Sequence, residues 1–266
     1  MSRRRLIVGG MLSATVAGPG FVRAQSAVTV RLVAASDLKF ALTKLLVRYQ
    51  TETGQKVEAT YGSSGSFAQQ IQQGLQTDLF LSADEGFVDK LAEAGLTRSV
   101  TTPAGQSADR GALYAVGRIA IYVPTESPLT LDTALSGLKA QWHQVSKFSI
   151  ANPEHAPYGR AAREALQQLG LWERVQPKLV LGENISQATQ FVATGAAQAG
   201  ITALSLALAP EVARFGRHLA LPANLHAPLR QRMVLLKSAT PAAAAFYDYL
   251  QSPAARETLR AFGFTV

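Results

Sequence analysis

The chain alternates strand-like and helix-like segments from residue 27 onward. Val28, Val30 and Leu32 alternate with polar neighbours, which is the pattern of a half-buried strand. From Leu38 to a stop near Gly54, apolar residues recur at helical spacing. The pattern therefore predicts a strand followed directly by an amphipathic helix.

The same unit recurs along the rest of the chain. Strands are expected at 57–61, 79–81, 114–123, 147–151, 178–181, 200–202 and 233–236, with helices beginning near Phe67, Phe87, Gly159, Ser186, Pro241 and Pro253. The segment 114–123 is long enough to cross between two lobes. Strands that alternate with helices predict an α/β fold, with parallel sheets covered by helices on both faces.

Small polar residues and glycines gather where strands pass into helices. Ser36 follows the first strand, and the segments 61–66, 157–159 and 184–186 open three later helices. Ligands of open α/β sheets bind beyond the carboxyl ends of the strands, where helix N-termini offer free N–H groups to an anion. Serine and asparagine are also ordinary helix caps, so one such helix start is weak evidence for an anion site. Four of them favour an oxyanion site.

Composition narrows the class of protein. The chain has 266 residues, of which 47% are hydrophobic and 17% charged, so it can form two α/β lobes or one large domain. It has no cysteine, which excludes disulfides, thiolate metal sites and cysteine nucleophiles. Its four histidines are scattered along the sequence, which leaves little material for a transition-metal site.

The N-terminus resembles an export signal. Three arginines at 3–5 precede a short, weakly apolar run and small residues near Ala24, so residues 1–24 are expected to be a signal peptide, with Sec and Tat export both open. Four arginines lie in this segment, so its removal would reduce the net charge from +8 to +4. That charge does not argue for nucleic-acid binding. We expect a soluble periplasmic protein.

Six segments carry a more specific signal. They are AASDL at 34–38, YGSSG at 61–65, TDLFLSAD at 77–84, NPEHAPYG at 152–159, KLVLGENI at 178–185 and FYDYL at 246–250. In this order and spacing, they resemble the periplasmic molybdate-binding proteins of ABC transporters. The resemblance implies a two-lobed type II periplasmic-binding-protein fold with two crossover strands. Lobe I would be 25–112 with 229–266, and lobe II would be 113–228.

The resemblance also implies a ligand site. Ser36 and Ser64 would donate their hydroxyls from lobe I, while Tyr158 and Ile185 would donate backbone N–H groups from lobe II. The ligand would be molybdate or tungstate, with no catalytic residue and no cofactor. Many relatives carry a ligand-binding tyrosine where this chain has Ala203. We expect the Tyr158 phenol to replace that donor.

Two charged residues bear on this site. A pocket of uncharged donors can satisfy the oxygens of a tetrahedral dianion without a counter-charge. Asp37 could alter that selection by accepting the proton of a hydrogen phosphate. We expect instead an ordinary acid in the first helical turn, pointing away from the pocket. Arg118 is expected at the surface.

Other functions remain as alternatives. The same fold could bind another oxyanion, such as sulfate or phosphate. A serine hydrolase would need a Gly-x-Ser-x-Gly turn and a histidine base, and Ser64 does not lie in such a turn. A transcription regulator would need a DNA-binding module where the export signal stands. We therefore expect a monomeric binding protein, not an enzyme, that delivers its anion to an inner-membrane permease.

Overall fold

Two five-stranded sheets organise the molecule. The computed structural model describes residues 29–101 and 107–266, so the expected signal peptide at 1–24 lies outside the described residues. Each sheet combines parallel and antiparallel pairs and is flanked by helices. The expected α/β fold with two lobes is confirmed, but the expectation of parallel sheets holds for only some strand pairs, because Ile119–Pro124 and Leu229–Leu235 pair antiparallel with their neighbours. Within the described ranges, no helix is both long enough and apolar enough to cross a bilayer.

The first part of the chain builds most of one sheet. Its elements are β1 (Val30–Ala35), a 3₁₀ turn (Ser36–Leu38), α1 (Lys39–Thr53), β2 (Val57–Gly62), α2 (Ser64–Gln72), β3 (Leu79–Ser82), α3 (Glu85–Glu93), the short pair β4 (Val100–Thr101) and β5 (Ser107–Ala108), and β6 (Ala112–Gly117). Helix α1 ends where Gly54 takes a left-handed conformation, with φ of 71°. The first strand and the first helix that the sequence predicts are therefore present as β1 and α1.

The middle of the chain builds the second sheet. Its elements are β7 (Ile119–Pro124), α4 (Ser136–Ala140), β8 (Phe148–Ala151), α5 (Pro157–Gln168), α6 (Trp172–Val175), β9 (Leu179–Gly182), α7 (Ile185–Ala193), β10 (Ala199–Ala203), α8 (Leu204–Ala207), α9 (Pro210–Ala213) and β11 (Gly216–Ala220). The strand order is β11-β7-β10-β8-β9. Strand β11 has no counterpart among the strands predicted from sequence, because its segment carries little apolar alternation.

The last part of the chain returns to the first sheet. It contains β12 (Leu229–Leu235), α10 (Pro241–Tyr249) and α11 (Pro253–Ala261). Strand β12 enters between β3 and β6 and gives the order β2-β1-β3-β12-β6. Helix α10 packs on α1 through Phe246 and Tyr49, whose ring centroids are 4.9 Å apart. The C-terminal segment therefore completes a core that the N-terminal segment begins.

The connection between the sheets differs from the single strand expected at 114–123. The chain pairs with the first sheet up to Gly117 and with the second sheet from Ile119. Arg118 lies between them, half-buried, and its Nη2 donates to the carbonyl of Leu221 at 3.1 Å. The Leu221 N–H in turn donates to the Ile119 carbonyl at 3.0 Å. The expected surface position of Arg118 is therefore wrong, because this side chain joins the two connections between the sheets.

The start of α5 lies against the end of β8. A Cβ atom at Gly159 would lie 2.2 Å from the Ala151 carbonyl oxygen, well inside van der Waals contact. Backbone cannot move away as readily as the end of a flexible side chain. Glycine at this position therefore lets the helix begin directly on the strand, which places Tyr158 at the sheet interface.

We expect Gly159→Ala to destabilise the protein by about 1–3 kcal/mol, the usual range for an overpacked core. Urea unfolding followed by circular dichroism measures the change. Gln167→Ala, at an exposed position of the same helix, is the matched control and should remain within about 0.5 kcal/mol of the parent. Equal stability of the Gly159 variant and the control would contradict the close packing of α5 on β8.

Candidate functional site

The four predicted helix starts meet where the two sheets approach each other. They enclose a small cavity of about 10 Å³, which has room for about one water molecule. Its walls come from both halves of the fold: Ala35, Ser36, Asp37, Gly62, Ser63, Ser64, Ala83, Ala156, Pro157, Tyr158 and Ile185. The structure thus brings together all four residues that the sequence analysis assigns to anion binding.

Helix capping explains why these residues face a common point. The Ser63 side chain accepts from the Ser66 N–H at 3.3 Å and caps α2, and Asn184 accepts from the Gln187 N–H at 3.1 Å and caps α7. Ser64 and Ile185 are consequently the first residues of their helices. N–H groups in a first helical turn have no acceptor within the helix, and the helix dipole is positive there. The cavity therefore lies at the positive ends of two capped helices.

Ser36 is held at the cavity by the opposite lobe. Its hydroxyl donates to the Asn184 side-chain oxygen at 3.1 Å and accepts from the Ser186 N–H at 3.2 Å. The Ser186 hydroxyl donates to the Ser36 carbonyl at 2.9 Å. Ser36 is only 2% exposed. The end of β1 is thus tied to the start of α7 by three hydrogen bonds.

Ser64 is arranged differently. Its hydroxyl oxygen accepts from the Ala83 N–H at 2.9 Å, and the residue is fully buried. Because this bond uses a lone pair of the hydroxyl, its hydrogen stays available for an acceptor in the cavity. Ser64 therefore already has the geometry of a donor, whereas Ser36 donates to Asn184.

Asp37 does not point away from the site, so that expectation is wrong. The residue is 1% exposed and lines the cavity. Its Oδ2 accepts from the Tyr158 hydroxyl at 2.9 Å and from the Gln231 Nε2 at 2.7 Å. The acid sits in a 3₁₀ turn that the sheet interface encloses, so no face of it is left toward solvent.

The Tyr158 hydroxyl has a different partner from the one expected. Its hydrogen is donated to Asp37, and its oxygen accepts from Gln231 Nε2 at 3.0 Å. Ala203, the position that lacks the tyrosine of many relatives, is buried in β10 and does not line the cavity. In this arrangement the ring anchors α5 to the floor of the cleft, which leaves the Tyr158 backbone N–H as the group available to an anion.

Burial dominates the ionisation of this pair. It raises the pKa of Asp37 to about 6, although the hydrogen bonds from Gln231 and Tyr158 act in the opposite direction. Burial also raises the pKa of the Tyr158 phenol well above its ordinary value, and the nearby Asp37 charge adds to this. The phenol therefore remains a donor, and the carboxylate is stabilised by donors instead of by a cation.

A second set of contacts crosses the cleft nearer the surface. The Ser63 hydroxyl lies 2.8 Å from His155 Nδ1, and the Ser66 hydroxyl donates to Glu183 at 3.0 Å. The Gly65 N–H donates to the His155 carbonyl at 2.9 Å. Arg160 of α5 pairs with Asp84, the cap of α3. These contacts hold the lobes together around the cavity.

Sequence reasoning missed several residues of this site. Gln231 lies on β12, and only the fold brings it to Asp37. Asn184 was expected as a helix start, but its bond to Ser36 in the other lobe was not. No local pattern marks such pairs, because each joins segments far apart in the sequence.

Known proteins resemble this chain along most of its length. The molybdate-binding protein ModA of Azotobacter vinelandii is 35% identical over 243 residues, which are 91% of this chain and 91% of that protein. ModA of Rhodobacter capsulatus is 37% identical over 218 residues, 81% of this chain and 80% of that protein. The solved Azotobacter vinelandii periplasmic molybdate-binding protein superimposes with a TM-score of 0.78 and 28% identity, covering 89% of this chain and 99% of that chain.

These similarities agree with the two-sheet architecture and with the resemblance found in the sequence. The model of the family described as "bacterial extracellular solute-binding protein" matches residues 30–265, which is nearly the whole of the described chain. The chain therefore belongs to the bacterial extracellular solute-binding protein family.

Proposed function

We propose that this protein captures molybdate between its two lobes and delivers it to an ABC transporter. The observation that carries the proposal is the cavity at which the starts of α2, α5 and α7 and the end of β1 converge. Two relatives that are 35% and 37% identical to this chain are named as molybdate-binding proteins, which supports the choice of anion.

The proposed ligand contacts are four. The hydroxyls of Ser36 and Ser64 and the backbone N–H groups of Tyr158 and Ile185 would donate to the anion oxygens. Hydrogen bonds that involve a charged partner are stronger than neutral ones, so uncharged donors in a buried site suffice for a dianion. The Ser36 hydroxyl would exchange its bond to Asn184 for one to the anion.

The wider role follows from the family and the N-terminus. Solute-binding proteins carry a ligand instead of transforming it, so we infer no catalytic step and no cofactor. Residues 1–24 would direct export to the periplasm. The loaded protein, acting as a monomer, would dock on an inner-membrane permease, and tungstate would bind as molybdate does because it has the same charge and shape.

Calorimetric titration of the mature chain tests the proposal. Molybdate and tungstate should each release heat with one binding site per chain. Sulfate is smaller than molybdate, so fewer donors can reach its oxygens at once, and we expect it to bind at least about 100-fold more weakly, since losing one or two hydrogen bonds to a charged group accounts for that factor. Hydrogen phosphate brings an O–H group that none of the four proposed donors can accept. Asp37, which lines the same cavity and whose Oδ1 has no hydrogen-bond partner among the described residues, is the acceptor that this O–H group would have to reach. We expect hydrogen phosphate to bind more weakly than molybdate as well.

Preferred binding of sulfate or phosphate over molybdate in the same titration would reassign the site to another oxyanion. An absence of heat with all four anions, together with unchanged thermal unfolding in their presence, would refute the proposed function.

The two hydroxyls of α2 allow a matched test of the site. Ser64→Ala removes a buried hydroxyl that lines the cavity, and we expect about tenfold or greater loss of molybdate affinity, as for a hydrogen bond to a charged group. Ser66→Ala removes a hydroxyl that donates to Glu183 and accepts from Ser63 but does not itself line the cavity, and affinity should change by less than about threefold. Equal effects of the two substitutions would argue against Ser64 as a ligand.

A further inference from the structure

A buried hydrogen-bond cluster lies beneath the cavity, where the connections between the sheets leave the first sheet. Gln231 of β12 donates to Asp37 and to Tyr158 through Nε2, and its Oε1 accepts from the Tyr114 hydroxyl at 2.7 Å. Asp37, Tyr158 and Gln231 are each at most 1% exposed. We refer to Asp37, Tyr158, Gln231 and Tyr114 as the floor cluster.

The floor cluster is shared between the two lobes. Asp37, Gln231 and Tyr114 belong to the first sheet and its connections, whereas Tyr158 extends from α5 of the second. Another contact from the second lobe reaches the same place, because the Ser205 hydroxyl of α8 donates to the Asp37 carbonyl at 2.8 Å. Separation of the lobes would withdraw Tyr158 from both of its partners.

The backbone leaves room for this arrangement at one residue. A Cβ atom at Gly117, the last residue of β6, would lie 2.3 Å from the Tyr158 hydroxyl oxygen and 2.7 Å from Gln231 Nε2. The Tyr158 hydroxyl therefore packs against β6 at Gly117, where the strand has no side chain.

Because the hydrogen bonds of the floor cluster are buried, they contribute more to holding the lobes together than the contacts nearer the surface do. A hydrogen bond to an ionised group is stronger where water is excluded, and a buried carboxylate that loses its donors is strongly disfavoured. The Ser66–Glu183 contact is exposed, so water can replace either partner and the contact contributes less. The Ser63–His155 contact is part-buried and involves no carboxylate.

We propose that Asp37 and Gln231 are positioning residues that hold the Tyr158 ring across the lobe interface, and so favour the closed form and fix the Tyr158 N–H at the cavity. The part of this inference that concerns affinity rests on the proposed function. The part that concerns closure does not, because the cluster joins the lobes whatever the ligand is.

The test compares three substitutions at the interface with one control. Asp37→Ala removes the acceptor, whereas Asp37→Asn keeps one oxygen that Tyr158 and Gln231 can share. Tyr158→Phe removes only the bridging hydroxyl. Asp248→Ala, at an exposed position of α10, repeats the aspartate-to-alanine change away from the cleft. Thermal unfolding of each variant first establishes that it is folded at the working temperature.

Two readouts separate positioning from a general effect on stability. For Asp37→Ala and for Tyr158→Phe we expect about tenfold weaker molybdate binding by calorimetry, and a larger radius of gyration of the ligand-free protein by small-angle X-ray scattering. In Asp37→Asn, the molybdate affinity should return to within about threefold of the parent value, and the radius of gyration should equal that of the parent. The loss in the double variant Asp37→Ala/Tyr158→Phe should be smaller than the product of the two single losses, because the single variants share the Tyr158–Asp37 bond.

An unchanged radius and an unchanged affinity in Asp37→Ala would overturn the inference, as would losses that multiply in the double variant. If the parent protein binds none of the anions, the proposed function fails, and the scattering comparison of Asp37→Ala with Asp248→Ala alone decides whether the floor cluster controls closure. A larger radius confined to Asp37→Ala and Tyr158→Phe would support it, and equal radii would refute it.

Discussion

The structure depends on the need of N–H groups at helix starts for acceptors that the helix itself cannot supply. In this fold the partners come partly from the opposite lobe. The Gly65 N–H of α2 donates to the His155 carbonyl, and the Ser186 N–H of α7 donates to the Ser36 hydroxyl. Each lobe thus completes helix ends of the other. The contacts that join the lobes and the walls of the cavity are consequently made by the same helix ends.

The second constraint is a negative charge buried at the same interface. Among the residues that the structure describes, no cationic side chain pairs with Asp37, and Tyr158 and Gln231 donate to its Oδ2. Burial without such donors would be strongly unfavourable. This requirement accounts for three features at once: the tyrosine at the start of α5, the glutamine within β12, and the glycine at the end of β6 that leaves space for the phenol.

Much of the fold could be predicted from the sequence, because apolar periodicity and glycine stops are local signals. Helix α1 and its end at Gly54 follow from them directly, as do the helix starts that form the cavity. Contacts between distant segments could not be predicted. Nothing near Asp37 distinguishes a first-turn acid that faces solvent from one that receives a glutamine 194 positions away. The strand-like segment at 114–123 likewise hides the change of sheet at Arg118, since the residues on both sides of Arg118 belong to strands.

The bond from Arg118 to Leu221 has a consequence for how the molecule can move. Arg118 lies in one connection between the sheets and Leu221 begins the other, and the backbone hydrogen bond from Leu221 to Ile119 lies beside the side-chain bond. While these two hydrogen bonds are kept, neither connection can move without the other. A change in the angle between the two sheets must therefore deform both connections together.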